Sequence, residues 1–462
     1  MCLCHDRGNA LMKRTAILTT TLLALACTAV GFVQRTTSDL RQQTFELVWR
    51  RVKEKHYDPQ LNGVDWDAIH EKYAPLVAAA RSDDEFYALL NQMLGELHQS
   101  HFAVIPPSVT IDEDAEAGAS ETPPSEARSD RRADHDAEVG LTVQWVEDQP
   151  VITRVEERSP AARAGLRPGF VVTHIDGEPV NELWEKLALR KVRPVERRSL
   201  FMRRIDRRLR GPAGSTVGIS YLDERDRPHT VTLKRQRSDG RPVKFGQLPV
   251  IFTKIEARRL AHGIGYLRFN AFMMPLLEEI RRAIRSFHDA PGIIIDLRGN
   301  PGGLGSMATA VARLFYEKRT LLGTMKLRRG EIRFAVFPAP DAYSGPVVIL
   351  TDEGTASTSE ILAGGMQETG RAIVVGRPSL GAVLPSVIEK LPTGARLQYA
   401  IADFKTPGGL LLEGRGVYPD VPVELTRHDL LTQSDPILER AISVIVHRRP
   451  ARKASAAGDQ SH

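Results

Sequence analysis

Residues 346–360, Pro-Val-Val-Ile-Leu-Thr-Asp-Glu-Gly-Thr-Ala-Ser-Thr-Ser-Glu, combine a buried-strand pattern, a turn of small residues and the start of a helix. The helix pattern continues from Ile361 to Thr369. Such a turn can place one serine hydroxyl at the helix N-terminus, where free N–H groups stabilise a developing negative charge. The turn is therefore a candidate site for a serine nucleophile. The alternative is a simple helix cap, because Ser or Thr followed by Glu also begins helices.

Strand and helix patterns alternate on both sides of this stretch. Apolar strand patterns cover 292–297 and 372–375, and helix patterns cover 274–287 and 307–316. Strands that alternate with helices form mainly parallel, buried sheets. We predict an α/β fold whose core is a mainly parallel sheet.

Length and composition exclude several classes of function. The chain has 462 residues, enough for several domains, and its net charge of +6 is modest. Its basic residues are not interleaved with aromatic residues as in a nucleic-acid site, so we expect no nucleic-acid partner. No His-x-x-x-His or Cys-x-x-Cys pattern is present. We therefore predict no metal site and no cofactor.

The N-terminus has the features of an export signal. Two basic residues precede an apolar run, Ala24-Leu25-Ala26 is a small-residue cleavage pattern, and Cys27 stands where a lipoprotein carries its lipid. All three cysteines lie in this segment, so we expect the mature domain to have no intramolecular disulfide and no cysteine nucleophile. We expect residues 1–37 to be a signal peptide or a lipid or membrane anchor. The expected location is the periplasmic side of a bacterial cell envelope.

The rest of the chain divides by composition. Residues 38–110 carry apolar side chains at helical spacing and form a predicted N-terminal helical region. Residues 111–137 are rich in Asp, Glu, Ser and Pro, which predicts a disordered acidic linker. Residues 238–447 are assigned to the core, and 448–462 to a disordered tail.

Residues 138–237 have the strand and turn signals of a PDZ domain. The signals are Gly140-Leu141, Ser159-Pro160-Ala161, Ala164-Gly165-Leu166, Pro168-Gly169 and Ile175-Asp176-Gly177. This resemblance implies a groove that takes an extended peptide by strand addition and holds its C-terminal carboxylate in backbone N–H groups. Gly140, Leu141 and Val143 are the peptide-binding residues that it implies.

A basic stretch interrupts the PDZ-like region. It contains Arg197, Arg198, Arg203, Arg204, Arg207, Arg208 and Arg210. We interpret it as the solvated face of a helix. The alternative is a surface that contacts a membrane or a substrate.

Four ordered motifs carry a second resemblance. They are Asp296–Gly303 (DLRGNPGG), Ser357–Glu360 (STSE), Gly370–Pro378 (GRAIVVGRP) and Glu413–Asp420 (EGRGVYPD). With the helical N-terminal region and the PDZ-like insert, these motifs make the chain similar to the C-terminal processing peptidases, or tail-specific proteases, and the tricorn-like serine proteases. The resemblance implies serine peptidase activity and a ClpP/crotonase-like catalytic core.

The two branches of that family use different bases. In the tail-specific branch a lysine pairs with the serine, and Ala382 occupies its position here. The tricorn-like branch uses a histidine directly after a serine, together with a later glutamate, and Ser100, His101 and Glu413 match these positions. The resemblance thus implies Ser357 as nucleophile and His101 as general base. Ser100 and Glu413 would orient the imidazole.

The resemblance also implies an oxyanion hole and a substrate class. Thr358 N–H would form the hole with the N–H of Gly302 or Gly303. We expect an exported serine endopeptidase that cleaves unfolded or tail-exposed polypeptides through an acyl-enzyme, with the PDZ groove capturing substrate C-termini. One alternative is a catalytically inactive relative that binds peptides as a scaffold, and another is a binder of small apolar ligands. The sequence leaves the oligomeric state open.

Overall fold

The computed structural model describes residues 38–107, 137–189, 192–244 and 250–447. The predicted signal or anchor (1–37), the linker up to residue 136 and the tail (448–462) lie outside the described residues. No helix in the described ranges is long and apolar enough to cross a membrane.

Helices and strands alternate through most of the described chain. The helices are α1 (38–55), α2 (Trp66–Ala78), α3 (Asp83–Gly95), α4 (Pro160–Arg163), α5 (Val180–Ala188), α6 (Pro194–Leu209), α7 (Leu277–Ser286), α8 (Ser306–Ala312), α9 (Thr358–Glu368), α10 (Arg427–Leu431) and α11 (Pro436–His447). The strands are β1 (Ala103–Ile105), β2 (Ala137–Glu138), β3 (Leu141–Val146), β4 (Gln149–Val155), β5 (Val171–Ile175), β6 (Glu178–Pro179), β7 (Thr216–Leu222), β8 (Pro228–Lys234), β9 (Gln236–Arg237), β10 (Arg241–Val243), β11 (Ile251–Thr253), β12 (Ile255–Arg259), β13 (Gly265–Phe269), β14 (Ile293–Asp296), β15 (Thr320–Leu327), β16 (Glu331–Val336), β17 (Val347–Thr351), β18 (Ile373–Gly376), β19 (Ser386–Lys390), β20 (Arg396–Ala400), β21 (Ala402–Lys405) and β22 (Val421–Pro422). The mixed α/β class predicted from the sequence is confirmed.

The chain divides into two compact units. The first contains the N-terminal helices up to His98, the segment that begins at Phe102, and Val387–Tyr399. The Ser82 hydroxyl accepts the Glu85 N–H and so begins α3. Strand β1 pairs antiparallel with β20 in this unit. The segment Val387–Tyr399, which the sequence assigned to the core, therefore groups with the N-terminal region.

The second unit is built on a six-stranded sheet in the order β12-β13-β14-β17-β18-β22. The pairings from β13 to β22 are parallel, and β12 joins the edge in the antiparallel direction. Alternate strand residues face opposite sides. Ile293 and Val347 pack with α7, α8 and α9, whereas Ile294 and Val348 pack with α11. Both faces are covered, which explains why these strands read as continuous apolar runs.

The same unit contains the PDZ-like sheet, with the order β3-β4-β5-β7-β8 and β3 at one edge. The rings of Trp145 and Trp184 stack with centroids 4.2 Å apart, and Phe201 meets both edge-on. The basic stretch is helical, as predicted, and forms most of α6. Its apolar side chains Phe201, Ile205 and Leu209 are buried in the core of the PDZ-like sheet.

The parallel sheet explains how distant motifs converge. Neighbouring parallel strands end at the same edge of a sheet, where open α/β folds carry their sites. Loop 297–303 follows β14, the turn 352–357 follows β17, and segment 377–383 follows β18. Since β14, β17 and β18 are successive neighbours, the three segments lie side by side.

Candidate active site

Ser357 lies in a strained turn at the N-terminus of α9. It occupies the N-cap position with φ 55° and ψ −119°, a conformation that costs a residue with a Cβ roughly 1–3 kcal/mol. Its N–H donates to the Glu360 carboxylate and to the Ala382 carbonyl oxygen, each across 2.9 Å. Ser357 is partly exposed although its neighbours on both sides are buried. The turn therefore presents this residue to solvent while holding its backbone.

Glu360 connects the turn 352–357, called here the nucleophile turn because it contains the candidate nucleophile Ser357, to segment 377–383. Its carboxylate is fully buried and accepts hydrogen bonds from the Ser379 hydroxyl and from the N–H groups of Ser357, Gly381 and Ala382. Burial raises the pKa of Glu360 to about 7 although these donors favour the charged form. The sequence indicated Glu360 as part of a helix start and of the STSE motif, whereas its role in holding Ser379–Ala382 follows from the fold.

Loop 297–303 packs directly against the nucleophile turn. The buried Asn300 accepts the Gly302 N–H through its side chain (2.9 Å) and the Ala356 N–H through its carbonyl (3.1 Å). A Cβ atom added to Gly302 would lie 2.8 Å from Ala356 O, Ser357 Cβ and Thr358 N. Only glycine fits there, because those neighbours are mostly backbone and Gly302 has φ +94°.

Two N–H groups remain available beside Ser357. Thr358 is the first residue of α9, so its N–H has no partner within the helix. The N–H of Gly303 makes no hydrogen bond among the residues that the structure describes, and Gly303 is exposed. The Thr358 hydroxyl donates to the Gly303 carbonyl across 2.9 Å. Of the two predicted glycine donors, Gly302 is already engaged by Asn300, which leaves Gly303.

Ser100, His101 and Glu413 form one hydrogen-bonded chain. The Ser100 hydroxyl donates to Glu413 Oε2 (3.0 Å) and lies 2.7 Å from His101 Nδ1. Glu413 Oε1 also accepts the Ser100 N–H across 2.8 Å. Because the hydroxyl proton is directed to the carboxylate, the Ser100 oxygen can only accept from Nδ1–H. The arrangement thus favours the tautomer in which His101 Nε2 carries a free lone pair.

The charges around this chain fit a neutral imidazole. Burial, followed by the nearby positive charge of Arg203, lowers the pKa of His101 to about 4. Burial raises the pKa of Glu413, opposed by its bonds to Ser100 and Val383. His101 has φ 62°, a second strained residue at this site.

One peptide group connects Ser357 to the hydrogen-bonded residues Glu413, Ser100 and His101. The carbonyl of Ala382 accepts the Ser357 N–H, and the N–H of Val383, in the same peptide group, donates to Glu413 Oε2; both distances are 2.9 Å. Peptide dimensions therefore place Ser357 N and Glu413 Oε2 within about 8 Å of each other. His101 and Ser357 themselves share no hydrogen bond in the described part of the chain.

The predicted peptide-binding residues separate into two environments. Gly140 and Leu141 line a small cavity of about 70 Å³, together with Glu138, Glu156 and Arg210. The side chains of Leu141 and Val143 are both buried in the core of the PDZ-like sheet, and Val143 does not line the cavity. Val143 can therefore contribute only its backbone, as part of the edge strand β3.

A buried contact joins the PDZ-like sheet to the nucleophile turn. Gln144 Nε2 donates to Asp352 Oδ2 across 3.0 Å, and Gln144 Oε1 accepts from Arg377 across 2.9 Å. Asp352 Oδ1 in turn accepts the N–H groups of Gly299 and Gly354. No sequence pattern indicates this role of Gln144, because its partners lie more than 200 residues away.

No cluster of potential metal ligands occurs in the described ranges. The groups assembled at the edge of the sheet match those that acyl transfer uses. They comprise a hydroxyl at a helix N-terminus, an imidazole held by a hydroxyl and a carboxylate, and two available N–H donors.

Comparison with family models identifies the same regions. Residues 263–423 match the model for peptidase family S41, residues 39–95 match the tricorn protease C1 domain, and residues 151–188 match the PDZ domain. The S41 match spans loop 297–303 and the turn that contains Ser357.

Relatives align over most of the chain. A carboxyl-terminal-processing protease of Synechocystis sp. is 27% identical over 426 residues, covering 89% of this chain and 88% of the relative. Carboxyl-terminal-processing peptidase 3, chloroplastic, of Arabidopsis thaliana is 28% identical, with 90% and 77% covered. A putative tricorn protease homolog of Streptomyces coelicolor is 27% identical, but only 32% of its length is covered.

Solved structures have a similar fold. The photosystem II D1 C-terminal processing protease superposes with a TM-score of 0.55 at 22% identity, covering 83% of this chain and 93% of that one. Mature CPAF superposes with a TM-score of 0.61 at 16% identity, covering 88% and 96%. These findings confirm the resemblance to C-terminal processing and tricorn-like proteases, and they support a serine peptidase.

Proposed function

We propose that this relative of the C-terminal processing and tricorn-like proteases is a serine endopeptidase of the Ser–His type. Its substrates would be unfolded or tail-exposed polypeptides. The observation that carries the proposal is the hydrogen-bonded chain Glu413–Ser100–His101, which shares a peptide group with the backbone of Ser357.

In the first half-reaction the neutral His101 Nε2 takes the proton of the Ser357 hydroxyl. The serine oxygen attacks the scissile carbonyl carbon, and the N–H groups of Thr358 and Gly303 stabilise the resulting oxyanion. His101 then gives its proton to the leaving amine as the C–N bond breaks, which leaves an acyl-enzyme. In the second half-reaction water attacks the ester with His101 again as base, and Ser357 is regenerated.

The mechanism requires His101 and Ser357 to approach each other when substrate binds. Catalytic hydrogen bonds are often long in unliganded enzymes and shorten only in the Michaelis complex. Ser357 binds the Ala382–Val383 peptide group directly, and His101 is linked to it through Ser100 and Glu413, so a small shift of segment 380–383 could change the distance between the two residues.

The PDZ-like sheet would capture the substrate. Strand β3 lies at an edge, where an extended peptide can add by backbone hydrogen bonds, and Gly140 and Leu141 line a cavity at its start. Capture at this edge would raise the effective concentration of a scissile segment in the same polypeptide. The N-terminal sequence features support export to the cell envelope, with residues 1–37 as signal or anchor.

A second candidate function is a catalytically silent peptide-binding scaffold. Two observations favour it: Ala382 stands in place of the tail-specific lysine, and the described residues show no His101–Ser357 hydrogen bond. A scaffold would bind peptides through the PDZ-like sheet without cleaving them.

Fluorophosphonate labelling combined with hydrolysis of an unfolded protein separates these two functions. Wild type should be labelled at Ser357 and should hydrolyse casein, whereas Ser357→Ala and His101→Ala should lose hydrolysis by at least about a thousandfold while remaining folded. Unchanged hydrolysis in His101→Ala would refute the Ser–His assignment. Peptide binding by a wild type that neither labels nor cleaves would establish the scaffold.

A further inference from the structure

A charged cluster lies where β14 ends and loop 297–303 begins. We call it the β14 cluster, and its members are Arg268, Asp296, Arg298 and Asp435. The Arg298 guanidinium lies between two carboxylates: it donates to Asp296 Oδ1 and Oδ2 across 3.0 and 2.7 Å, and to Asp435 Oδ1 and Oδ2 across 2.9 and 2.8 Å. The Asp296 side chain is fully buried, and that of Arg298 is 15% exposed. Because both pairs are bidentate and the arginine is largely shielded from water, they are stronger than typical surface ion pairs.

The β14 cluster also holds the backbone of Arg298. The Arg298 N–H donates to Asp296 Oδ1 across 3.0 Å, and the Arg298 carbonyl accepts from Arg268 Nη2 across 3.1 Å. Arg268 Nη1 donates to Asp296 Oδ2 as well, across 3.0 Å. The next residue, Gly299, donates its N–H to Asp352 in the nucleophile turn. The position of Arg298 therefore sets where loop 297–303 leaves the sheet.

The other end of the same loop carries the available N–H of Gly303. Gly303 follows Arg298 by five residues, and the carbonyl of Gly302 between them accepts the Phe272 N–H across 2.8 Å. The loop is therefore fixed at its start by the β14 cluster and near its end by Phe272. An oxyanion donor acts only when it lies within hydrogen-bond distance of the developing charge. A displacement of about 1 Å at such a site can reduce the rate about a hundredfold.

Asp435 is supplied by the segment between α10 and α11, far from loop 297–303 in the sequence. Its Oδ1 accepts the Leu438 N–H across 3.0 Å, so Asp435 also caps α11. On the other side, Arg427 at the start of α10 donates to the carbonyls of Gly169 and Asp223, each across 2.8 Å. The segment is thus held both before and after Asp435. None of the four sequence motifs includes this residue.

Asp435 completes the charge balance of the β14 cluster. With it, two carboxylates face the two guanidinium groups of Arg268 and Arg298. Without it, Asp296 alone would face both arginines. The excess positive charge in a largely buried site would then favour displacement of Arg298. Asp435 thus supplies the negative charge that keeps Arg298 between the two carboxylates.

We infer that Asp435 is a positioning residue for the proposed reaction: by holding Arg298, it keeps loop 297–303 and the Gly303 N–H in the place where the oxyanion forms. This inference rests on the proposed function and adds the C-terminal segment to the parts of the chain that the reaction needs. Asp435 acts through Arg298 and is not itself a catalytic residue.

The test separates this role from helix capping. Asp435→Asn keeps a side-chain oxygen at the N-terminus of α11, because Asn is as good a cap as Asp, but it removes the charge and one of the two oxygens that bind Arg298. We expect kcat for an unfolded peptide to fall about tenfold or more, with KM changed by less than about twofold. Labelling of Ser357 by a fluorophosphonate should slow by a similar factor, because its phosphoryl oxygen also occupies the oxyanion position. Loss of a cap alone would lower the unfolding midpoint and leave both rates unchanged.

Asp429→Asn is the matched control. Asp429 lies in the first turn of α10 and accepts the Thr426 N–H across 2.9 Å, within the same C-terminal segment. This substitution should leave kcat and labelling unchanged. Equal kcat in wild type and Asp435→Asn, or an equal loss in Asp429→Asn, would overturn the inference. Arg298→Lys keeps the positive charge but loses the bidentate pairs, so it should lower kcat in the same way and decides the point if Asp435→Asn does not fold.

Hydrogen exchange of backbone amides tests the inference without catalysis. Asp435→Asn should speed exchange in loop 297–303 and leave α11 as protected as in wild type. Unchanged exchange in the loop, or faster exchange confined to α11, would also overturn the inference. If wild type neither labels nor hydrolyses, the proposed function fails, and exchange in the loop still decides whether Asp435 holds it.

Discussion

The Ser100 hydroxyl donates to Glu413 Oε2 across 3.0 Å, although 313 residues separate the two in the chain. This bond fixes the direction of the Ser100 proton and therefore the tautomer of His101. The same carboxylate oxygen accepts the Val383 N–H, whose peptide group also binds the Ser357 backbone. One acidic side chain thus connects the proposed base, His101, to the proposed nucleophile, Ser357.

Glu413→Gln should reduce kcat more than it changes KM. The two carboxylate oxygens of Glu413 accept three hydrogen bonds. A glutamine would replace one of these oxygens with an NH2 group, which can only donate and would therefore face at least one of the three donors. We expect a loss of about 1–3 kcal/mol in the free energy of unfolding and a larger proportional loss of kcat. Steady-state kinetics and urea unfolding measure both. Full activity in Glu413→Gln would contradict the proposed orientation of His101.

Ser100→Ala should lower kcat while the protein remains folded. Without the hydroxyl, His101 Nδ1–H loses its acceptor and the reactive tautomer is no longer favoured. Ser100→Thr keeps a hydroxyl and should restore part of the activity. If Ser100→Ala and Ser100→Thr have the same kcat as wild type, the hydroxyl does not orient the imidazole.

The acidic limb of kcat/KM should lie near pH 4. The pKa of His101 is lowered to about 4, so the free enzyme keeps a neutral base well below the usual histidine range. Arg203→Ala removes one cause of that shift and should move the limb to higher pH. A limb near pH 6.5 that Arg203→Ala leaves unchanged would refute the lowered pKa of His101.

The free energy of unfolding should depend on pH through two residues, His101 and Glu360, whose contributions have opposite slopes. The unfolded state binds more protons at His101 between about pH 4 and 6.5, so this residue makes stability rise with pH there. Glu360, with its pKa raised to about 7, binds more protons in the folded state from its ordinary value of 4.5 upward, so it makes stability fall with pH. Urea unfolding at several pH values tests this. His101→Ala should lose the rising contribution, and Glu360→Gln should lose the falling one. Unchanged slopes in both variants would refute these shifts.

Gly302→Ala should abolish activity and destabilise the protein by roughly 2–4 kcal/mol. The added Cβ would lie 2.8 Å from the backbone of the nucleophile turn. Gly299→Ala is the matched control, because Gly299 also has positive φ (+72°) but no atom lies within 4 Å of its added Cβ. We expect a cost of only about 1 kcal/mol there. Fluorophosphonate labelling and thermal unfolding distinguish the two, and equal effects would argue against close packing at Gly302.

Gln144→Ala should weaken the hold of the PDZ-like sheet on the nucleophile turn. It leaves the buried Asp352 and Arg377 with one partner fewer each, at a cost of about 1–3 kcal/mol. Gln149→Ala, an exposed position on the next strand, should have no effect. Identical unfolding midpoints for the two variants would show that the Gln144 contact contributes little.

Much of the fold could be predicted from periodicity and turn residues alone. The apolar run 347–350 predicts a buried strand because both faces of a parallel strand are covered, and β17 is such a strand. The alternation of small, turn-forming residues with strands likewise located the PDZ-like region. The grouping of Val387–Tyr399 with the N-terminal helices could not be predicted, because it depends on the pairing of β1 with β20.

By itself, the sequence determined which chemical groups this protein possesses: a serine at a helix start, a Ser-His pair, a late glutamate and no cysteine outside the N-terminal segment. Tertiary structure alone decided that Gly302 N–H is engaged, that Glu360 ties Ser357 to segment 379–382, and that Gln144 reaches Asp352. The physical reason is the separation along the chain over which each interaction acts. Local pattern and propensity act over a few residues, whereas hydrogen-bond partners are chosen by which strand ends lie side by side in the sheet.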